Sequence, residues 1–246
     1  MKARSLIWLV LVGCATAPAL SAGAEITDAV RARIAQRLPG LTITSVSESP
    51  LPGVLEVTYD GGVIYVSSDA RYALTGSLVD LKTRENLTES VLDRQRFQIL
   101  AEVAESRMIV YEPAGEAKHT ITTFTDIDCP FCRKMHREMA EMNALGIRVR
   151  YMLFPRAGIS SASYEKAVSV WCAPDQRSAM SRAKAGETPE KRACKNPVAE
   201  HMALARRLGL TGTPFTITET GRVISGYQPA QELLESLDAD SVKTSR

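Results

Sequence analysis

The sequence feature that most constrains this chain is a pair of cysteines, Cys129 and Cys132, with two residues between them. They follow a β-branched run at 119–124 that predicts a strand, and they precede a helical pattern at 130–145. A thiol at the start of a helix faces unpaired N–H groups and the positive end of the helix dipole, and both favour the nucleophilic thiolate. The second thiol lies one turn further on, where it can attack a mixed disulfide formed by the first. We therefore predict that Cys129 and Cys132 form a redox-active pair.

Three other functions of such a pair fit the sequence less well. A zinc site needs a second pair of ligands, but Cys172 and Cys194 have 21 residues between them and no histidine follows at ligand spacing. A haem attachment motif needs a histidine where Arg133 stands. A purely structural disulfide is unusual at a helix start that follows an apolar strand. We predict no metal and no other cofactor.

Charges beside Cys129 act on its thiolate in opposite directions. Asp128 disfavours the thiolate, whereas Arg133 and Lys134 favour it, so the sequence leaves the direction of the net pKa shift open. We interpret Asp126 as a residue that caps the turn before the pair, with a proton acceptor in the exchange reaction as the alternative.

The first 24 residues predict export. A basic start at Lys2 and Arg4, an apolar run at 6–12 and small residues at 22–24 are typical of a cleavable secretory signal. The apolar run is far shorter than the ~20 residues that span a bilayer. The segment Leu-Val-Gly-Cys at 11–14 also resembles a lipobox, in which Cys14 would carry a lipid. We favour the cleavable signal, and both alternatives place the mature protein outside the cytoplasm.

Without residues 1–24 the chain has 28 basic and 28 acidic residues, and this balance gives no footprint for nucleic acid or anionic lipid. Four cysteines remain, and an even number in an oxidising compartment predicts disulfides.

The remaining chain predicts two units joined by a helix. A small α+β unit at 25–85 contains a helix at 27–38 and strands at 41–47, 54–59, 63–67 and 72–81, with a hairpin signal at Asp60-Gly61-Gly62. A linker helix covers 86–107. An α/β unit at 108–246 contains strands at 108–111, 119–124, 147–154, 213–217 and 222–224 and a closing helix at 230–237. Its helical stretches at 156–210 hold the second cysteine pair.

Other candidate residues receive structural interpretations. We expect His119, His136 and His201 at ordinary surface or edge positions rather than in a catalytic or metal site. The methionines near helical spacing, Met135, Met139 and Met142, predict a packing face or part of a rim that meets unfolded substrate. Trp171 is expected in the core.

The second unit resembles thioredoxin, and the whole chain resembles the DsbC family of periplasmic disulfide isomerases. The resemblance rests on the order and spacing of short segments together with that of all four cysteines. These segments are Met-Ile-Val-Tyr at 108–111, Phe-Thr-Asp-Ile at 124–127, Asn-Ala-Leu-Gly-Ile at 143–147, Val-Arg-Tyr at 149–151, Phe-Pro-Arg at 154–156, Trp-Cys-Ala at 171–173, Gly-Thr-Pro at 212–214 and Gly-Tyr-Gln-Pro at 226–229.

This resemblance implies a homodimer joined through the small N-terminal units, with a thioredoxin-like catalytic unit that carries a helical insertion. It implies that Thr213 precedes a cis Pro214 that binds substrate beside the active pair, and that Cys172 and Cys194 form a structural disulfide. The implied location is the periplasm. The implied partners are misfolded exported proteins with wrong disulfides and a membrane reductase of the DsbD type that keeps the pair reduced.

The chain departs from the family between the active cysteines. Members of the DsbC family often carry Gly-Tyr there, whereas this chain has Pro130-Phe131, as in the Pro-aromatic pair of the related DsbG proteins. These two residues tune the reduction potential, so the balance among isomerase, reductase and oxidase activity stays open. A dimeric holdase chaperone, supported by Phe97 and the methionine-bearing helix, is the alternative from another class.

Overall fold

The computed structural model describes residues 21–244, so the predicted signal up to residue 20 and Cys14 lie outside the described residues. Helix α1 (Ser21–Arg37) packs on a four-stranded antiparallel sheet whose strands follow in chain order. The strands are β1 (Ile43–Glu48), β2 (Val54–Tyr59), β3 (Gly62–Ser67) and β4 (Ala73–Leu74). A small apolar core joins the helix and sheet, with Val30 and Ile34 against Val57 and Ile64. The predicted hairpin between β2 and β3 is confirmed, with Gly61 at a φ of +97°.

The predicted strand at 72–81 is largely wrong. Only Ala73–Leu74 pairs with β3, and a single bridge joins Val79 to Asn86. Gly76 adopts a φ of +138°, which ends the extended run, and Leu74 and Leu81 are exposed rather than packed.

The linker helix is shorter than predicted. Helix α2 (Leu87–Ala101) begins at Asn86, whose side chain accepts a hydrogen bond from Glu89 N, and a 3₁₀ turn over Glu105–Arg107 follows it. Both neighbouring units contact α2. The Tyr65 hydroxyl of β3 is hydrogen-bonded to Thr88, and Leu100 enters the core of the second unit.

The second unit is a five-stranded mixed sheet covered by helices on both faces. The strand order is β5-β7-β6-β8-β9, and β6 and β7 are the parallel pair. The strands are β5 (Ile109–Tyr111), β6 (His119–Thr125), β7 (Ile147–Leu153), β8 (Phe215–Ile217) and β9 (Val223–Ser225). The helices are α3 (Pro130–Arg137), α4 (Met139–Ala144), α5 (Ala162–Trp171), α6 (Gln176–Ala185), α7 (Val198–Arg207) and α8 (Ala230–Thr244). The fold class predicted from the sequence is confirmed.

Side chains that point alternately to the two faces of the sheet along β7 contribute to the two cores of this unit. Val149, Tyr151 and Leu153 face one core with the helices after β6, whereas Met152 faces the other core with Phe124. All of these residues are buried. Among the described residues, none forms a helix of the length and apolar character that a membrane span needs.

The single helix predicted at 130–145 is wrong, because the chain breaks at Glu138 into α3 and α4. The carboxylate of Glu138 accepts hydrogen bonds from the Tyr227 hydroxyl and from Ala230 N, the latter at 2.9 Å. These contacts join the break to the start of α8. They come from residues about ninety positions away, so local sequence patterns do not reveal them.

A glycine in the turn between β8 and β9 allows this turn to touch the linker helix. Gly221 has a φ of +92°, and a Cβ there would lie 1.8 Å from the carbonyl oxygen of Asp93 in α2. We expect Gly221→Ala to lower the free energy of unfolding by about 2 kcal/mol, because it adds a backbone clash to left-handed strain. The control is Gly186→Ala at the end of α6, where φ is +108° but no atom lies within 4 Å, and we expect a loss of about 1 kcal/mol. Denaturant titrations measure both values, and equal losses would contradict the proposed contact.

Candidate active site

The cysteine pair lies where the central strand β6 ends and α3 begins. Cys129 is the N-cap residue of α3, Pro130 takes the first helical position, and Cys132 lies in the first turn. The N–H of Cys129 donates to the carbonyl of Asp126 at 3.2 Å, which closes the turn between strand and helix. Both cysteines are free thiols, and each residue is 1 % exposed. Phe131 between them is exposed, so an apolar ring marks the outer surface of the site.

Thr213 and Pro214 lie directly against Cys129. The peptide bond between them is cis, and the Cys129 thiol donates a hydrogen bond to the carbonyl oxygen of Thr213 at 3.2 Å. The Thr213 hydroxyl is buried and has no hydrogen-bond partner among the described residues. It can therefore serve as a donor to a sulfur anion.

The pKa of Cys129 is lowered from its ordinary value. Burial acts to raise the pKa, but hydrogen bonds from Thr213 and Cys132 and the positive charge of Arg156 outweigh it. A lowered pKa increases the fraction of thiolate at neutral pH, and the thiolate is the form that attacks a disulfide.

The charge of Asp128, expected to oppose the thiolate, is largely neutralised by two cations. Its carboxylate pairs with Arg133 at 3.1 Å and with Lys166 of α5 at 2.8 Å. Arg133 thus acts as predicted. Lys134 does not, because its ammonium lies 4.4 Å from the centre of the Tyr227 ring.

Asp126 is a buried carboxylate that organises the turn. It accepts hydrogen bonds from Asp128 N at 2.9 Å, from Arg156 N and Nε at 3.0 and 3.1 Å, and from Ser163 Oγ at 2.8 Å. Burial acts to raise the pKa of Asp126, but these hydrogen bonds outweigh it and hold the pKa below its ordinary value. A lowered pKa makes the carboxylate a weaker proton acceptor, so its contacts favour the predicted turn role.

Cys132 lies deeper than Cys129, and a lysine faces it. Burial raises the pKa of Cys132, and the charge of Lys184 opposes this shift. The ammonium of Lys184 donates to Thr125 Oγ1 at 2.6 Å and to the Asp126 carbonyl at 2.7 Å. Sequence reasoning missed Lys184, although one signal was present: it stands four residues after the buried Met180 on the same face of a helix. It also missed Arg156 and Ser163.

The prediction that the three histidines lie at the surface or at an edge is wrong, because helices cover both faces of the sheet and β6 is central. His119 contacts Glu219 and Asp238, and His136 contacts Ser181. Burial lowers the pKa of His136 and of His201 to about 4, so both are neutral at physiological pH. No group of three metal-ligating side chains is present in the part of the chain that the structure describes.

His201 has a structural role between α7 and the sheet. It accepts a hydrogen bond from Leu153 N at 3.1 Å, and its other ring nitrogen contacts the Arg107 carbonyl at 2.8 Å. Trp171, expected in the core, is half-buried and packs edge-on against the His201 ring.

The three methionines of the helix after the cysteines are all buried in the larger core of the unit: Met135, Met139 and Met142. This confirms the packing face and excludes them from a rim that meets substrate. Cys172 and Cys194 form a disulfide with an S–S distance of 2.03 Å, which ties the end of α5 to the segment before α7.

A parallel β6–α3–α4–β7 unit, a Cys-x-x-Cys pair at the helix start and a facing cis proline define a thiol–disulfide oxidoreductase of the thioredoxin-like class. Residues 107–240 match the family described as "Thioredoxin-like domain". Residues 18–89 match the "Disulfide bond isomerase protein N-terminal domain". Taken with the relatives described next, this combination means that the chain belongs to the DsbC family.

Named relatives share most of their length with this chain. The thiol:disulfide interchange protein DsbC of Dickeya dadantii is 37 % identical over 223 residues, covering 90 % of this chain and 91 % of the relative. DsbC of Salmonella typhimurium is 36 % identical over 247 residues, covering 100 % of this chain and 99 % of the relative. A solved linker-deletion variant of Proteus mirabilis ScsC is 19 % identical with a TM-score of 0.51, covering 63 % of this chain and 85 % of that one, and it agrees in fold.

Proposed function

We propose that this chain rearranges or reduces incorrect disulfides in exported proteins, with Cys129 as the attacking nucleophile and Cys132 as the resolving thiol. The observation that carries the proposal is the Cys129 thiol at the start of α3, with a lowered pKa and with its sulfur against Thr213 beside the cis Pro214. This arrangement supplies a thiolate, a second thiol within the same helical turn and a backbone surface for substrate.

The reaction begins when the Cys129 thiolate attacks one sulfur of a wrong disulfide. The bond between Cys129 and that sulfur forms while the substrate bond breaks, and its electron pair leaves on the second substrate sulfur, which takes a proton from water. A substrate thiolate can then attack the mixed disulfide, which gives rearrangement and restores Cys129. Alternatively Cys132 attacks it, which gives net reduction and a Cys129–Cys132 disulfide.

Substrate binding is assigned to Thr213 and Pro214. The carbonyl oxygen of Thr213 lies 3.2 Å from the reacting sulfur, and Pro214 follows it through a cis bond, so a strand held there would present its disulfide to Cys129. The exposed ring of Phe131 adds an apolar surface at the same place. Cys172 and Cys194 are assigned a structural role, since their bond lies in the helical insertion rather than in the site.

Three units carry this function after removal of a signal at 1–24: a dimerisation unit at 25–85, a linker helix at 86–107 and a catalytic unit at 108–246. The basic and apolar start of the chain supports export to the periplasm, with lipid attachment at Cys14 as the minor alternative. In an oxidising compartment the pair must be returned to the dithiol state after each net reduction, so a membrane reductase of the DsbD type is the proposed partner.

A homodimer through the N-terminal sheet is supported by an exposed apolar edge. Strand β4 stands at the edge of its sheet and pairs only with β3 among the described strands. Leu74 within it is 59 % exposed, and Leu81 shortly after it is 90 % exposed. An uncovered edge strand with apolar side chains is a surface that a second chain can extend.

Sedimentation of the full-length protein tests this interface. We expect wild-type protein to sediment as a dimer and the double variant Leu74→Arg/Leu81→Arg as a monomer at the same concentration, because two charges would be buried without partners. The matched control is Leu51→Arg, an exposed leucine in the turn between β1 and β2 and not on β4 or the segment after it, which should remain dimeric. A dimeric double variant would contradict the proposed interface.

The proposed activity is tested by comparing two reactions of the wild-type protein. Reactivation of scrambled ribonuclease measures rearrangement, and insulin precipitation measures net reduction. The reduction potential, determined alongside against glutathione, distinguishes an isomerase that is kept reduced from an oxidase. Insulin reduction without ribonuclease reactivation would assign the chain as a reductase. The absence of both reactions would refute the proposal.

A further inference from the structure

Lys184 is a buried cation that lies beside the active cysteine pair and takes no part in the reaction steps described above. It is 4 % exposed, and it projects from α6 of the helical insertion towards the junction of β6 and α3. A buried ammonium is costly unless it is paired with an anion or strongly hydrogen-bonded. The partners of Lys184 therefore indicate what it does.

Two neutral oxygens accept hydrogen bonds from Lys184, and no carboxylate lies within ion-pair distance of it among the described residues. Its acceptors are Thr125 Oγ1 at 2.6 Å and the Asp126 carbonyl at 2.7 Å. The Asp126 carboxylate is held by Asp128 N, Arg156 and Ser163. An ammonium donates three hydrogen bonds, so one donor remains beyond these two acceptors.

The groups that favour the charged form of Lys184 include both active cysteines. Cys132 has the largest effect of these, followed by Asp126 and then Cys129, while burial lowers the pKa of Lys184 to about 8. A lysine with this pKa is still mostly charged at neutral pH. Cys132 contacts the same two residues that hold the ammonium, Thr125 and Asp126, so the thiol and the lysine are neighbours at the end of β6. The charge of Lys184 favours the Cys132 thiolate, which burial disfavours.

We propose that Lys184 is a positioning residue that supplies the buried counter-charge for the Cys132 thiolate and thereby sets how fast Cys132 resolves the mixed disulfide. The inference rests on the proposed function, since it concerns the second half of the exchange reaction. It gives the helical insertion a part in the chemistry, because α6 carries the lysine into the site.

The step that Lys184 accelerates is balanced without a further reactant. The Cys132 thiol loses its proton to water, and its thiolate, facing the ammonium, attacks the sulfur of Cys129. The Cys129–Cys132 bond forms, the bond from Cys129 to the substrate breaks, and the electron pair leaves on the substrate sulfur. Lys184 keeps its proton throughout. A faster second step shortens the lifetime of the mixed disulfide and favours net reduction over rearrangement.

Few other groups near Lys184 titrate around neutral pH. His136 is neutral because burial lowers its pKa to about 4, and the buried Tyr151 is neutral because its pKa is raised well above its ordinary value. Asp126 stays ionised because its pKa is lowered. Arg133 contributes a like charge that disfavours the ammonium. The pH dependence near neutrality therefore reports the two cysteines and Lys184 itself.

The test is Lys184→Met in the full chain, with the aromatic disulfide 5,5′-dithiobis(2-nitrobenzoate) as probe. Attack by Cys129 releases one thionitrobenzoate, and attack by Cys132 on the resulting mixed disulfide releases the second. We expect the first phase to change little and the second to slow about tenfold near neutral pH, with its pH midpoint raised by about one unit. The control is Lys191→Met, an exposed lysine of the same insertion, which should behave as wild type.

The possible outcomes separate this inference from the proposed function. An unchanged second phase, or two phases slowed equally at every pH, would assign Lys184 a purely structural role and overturn the inference. A first phase that persists in Cys129→Ala would instead refute the assignment of the nucleophile. Unfolding titrations of the oxidised variants show whether Lys184→Met is folded.

A measurement on wild-type protein keeps the inference testable even if the variant does not fold. The coupling between two groups is reciprocal, so a Cys132 thiolate must raise the pKa of Lys184 as much as the lysine lowers that of the thiol. In the reduced protein, NMR titration of the Lys184 Nζ and Cys132 Cβ resonances should therefore show two steps in each curve, one at the group's own ionisation and one at that of the other group. Single-step curves that ignore the other group's ionisation would overturn the inference.

Discussion

Cys129→Ala should reactivate scrambled ribonuclease no faster than the uncatalysed control. Loss of the nucleophile leaves Cys132 as the sole free thiol among the described residues, and this sulfur is buried with a raised pKa. We expect a loss of about a thousandfold or more, as in enzymes that lose their attacking group. The rate of ribonuclease reactivation at neutral pH in a glutathione buffer measures this effect.

Cys132→Ala is the matched control for this variant. It keeps the nucleophile and its hydrogen bond to Thr213, so it should still attack substrate and accumulate mixed disulfides that gel electrophoresis detects without reductant. Substantial isomerase activity in Cys129→Ala would show that the nucleophile is misassigned.

The same variant separates exchange chemistry from holdase activity. Of the features that supported a holdase, the methionines of α3 and α4 are buried, whereas Phe97 on the linker helix is exposed. If binding of unfolded chains belongs to the protein, Cys129→Ala should suppress aggregation of a denatured substrate as well as wild type does. If Cys129→Ala loses both disulfide exchange and suppression of aggregation, binding of unfolded chains depends on the Cys129 thiol.

The double variant Cys172→Ala/Cys194→Ala should lose about 3 kcal/mol of unfolding free energy, because the disulfide closes a loop over a sequence separation of 22 and limits the unfolded chain. The loss should appear as a lower denaturant midpoint. The bond holds the end of α5, whereas Ser163 and Lys166, which contact the site, lie in the first two turns of that helix. We therefore expect the exchange rate to change little while the unfolding free energy falls.

Replacing Ser178 with alanine is a suitable comparison, since it lies in the same insertion and removes only an exposed hydrogen bond that its hydroxyl accepts from Arg182. That change should cost about 1 kcal/mol or less. Equal stability of the double alanine variant and wild type would mean that the unfolded chain is not restricted by the bond.

Local sequence signals predicted those parts of the fold that local physics controls. Strand β2 has the predicted bounds because alternating burial and an adjacent glycine turn define it. The same holds for the start of α3, where proline and the end of a β-branched run coincide. The prediction of a strand at 72–81 failed because the exposure of its apolar side chains depends on what covers the sheet edge. Sequence periodicity carries no information about that contact.

The site was predicted where its chemistry is adjacent in sequence and missed where it is not. The spacing of Cys129 and Cys132 is enough to identify them. Lys166 and Lys184, by contrast, lie 37 and 55 residues after Cys129 in the sequence, and the fold brings them to the site on α5 and α6. The burial of His201 likewise depends on contacts with Leu153 and Arg107, far away in the chain. Single-sequence patterns record the type of such residues but not their tertiary neighbours.

The bond between Cys172 and Cys194 has a consequence for how each new molecule reaches its native state. Four cysteines permit three complete pairings, and only one of them joins these two residues. A newly made copy thus faces the same disulfide-pairing problem that mature copies correct in other proteins. Maturation of a population would then begin slowly and accelerate as the first correctly paired copies repair the rest.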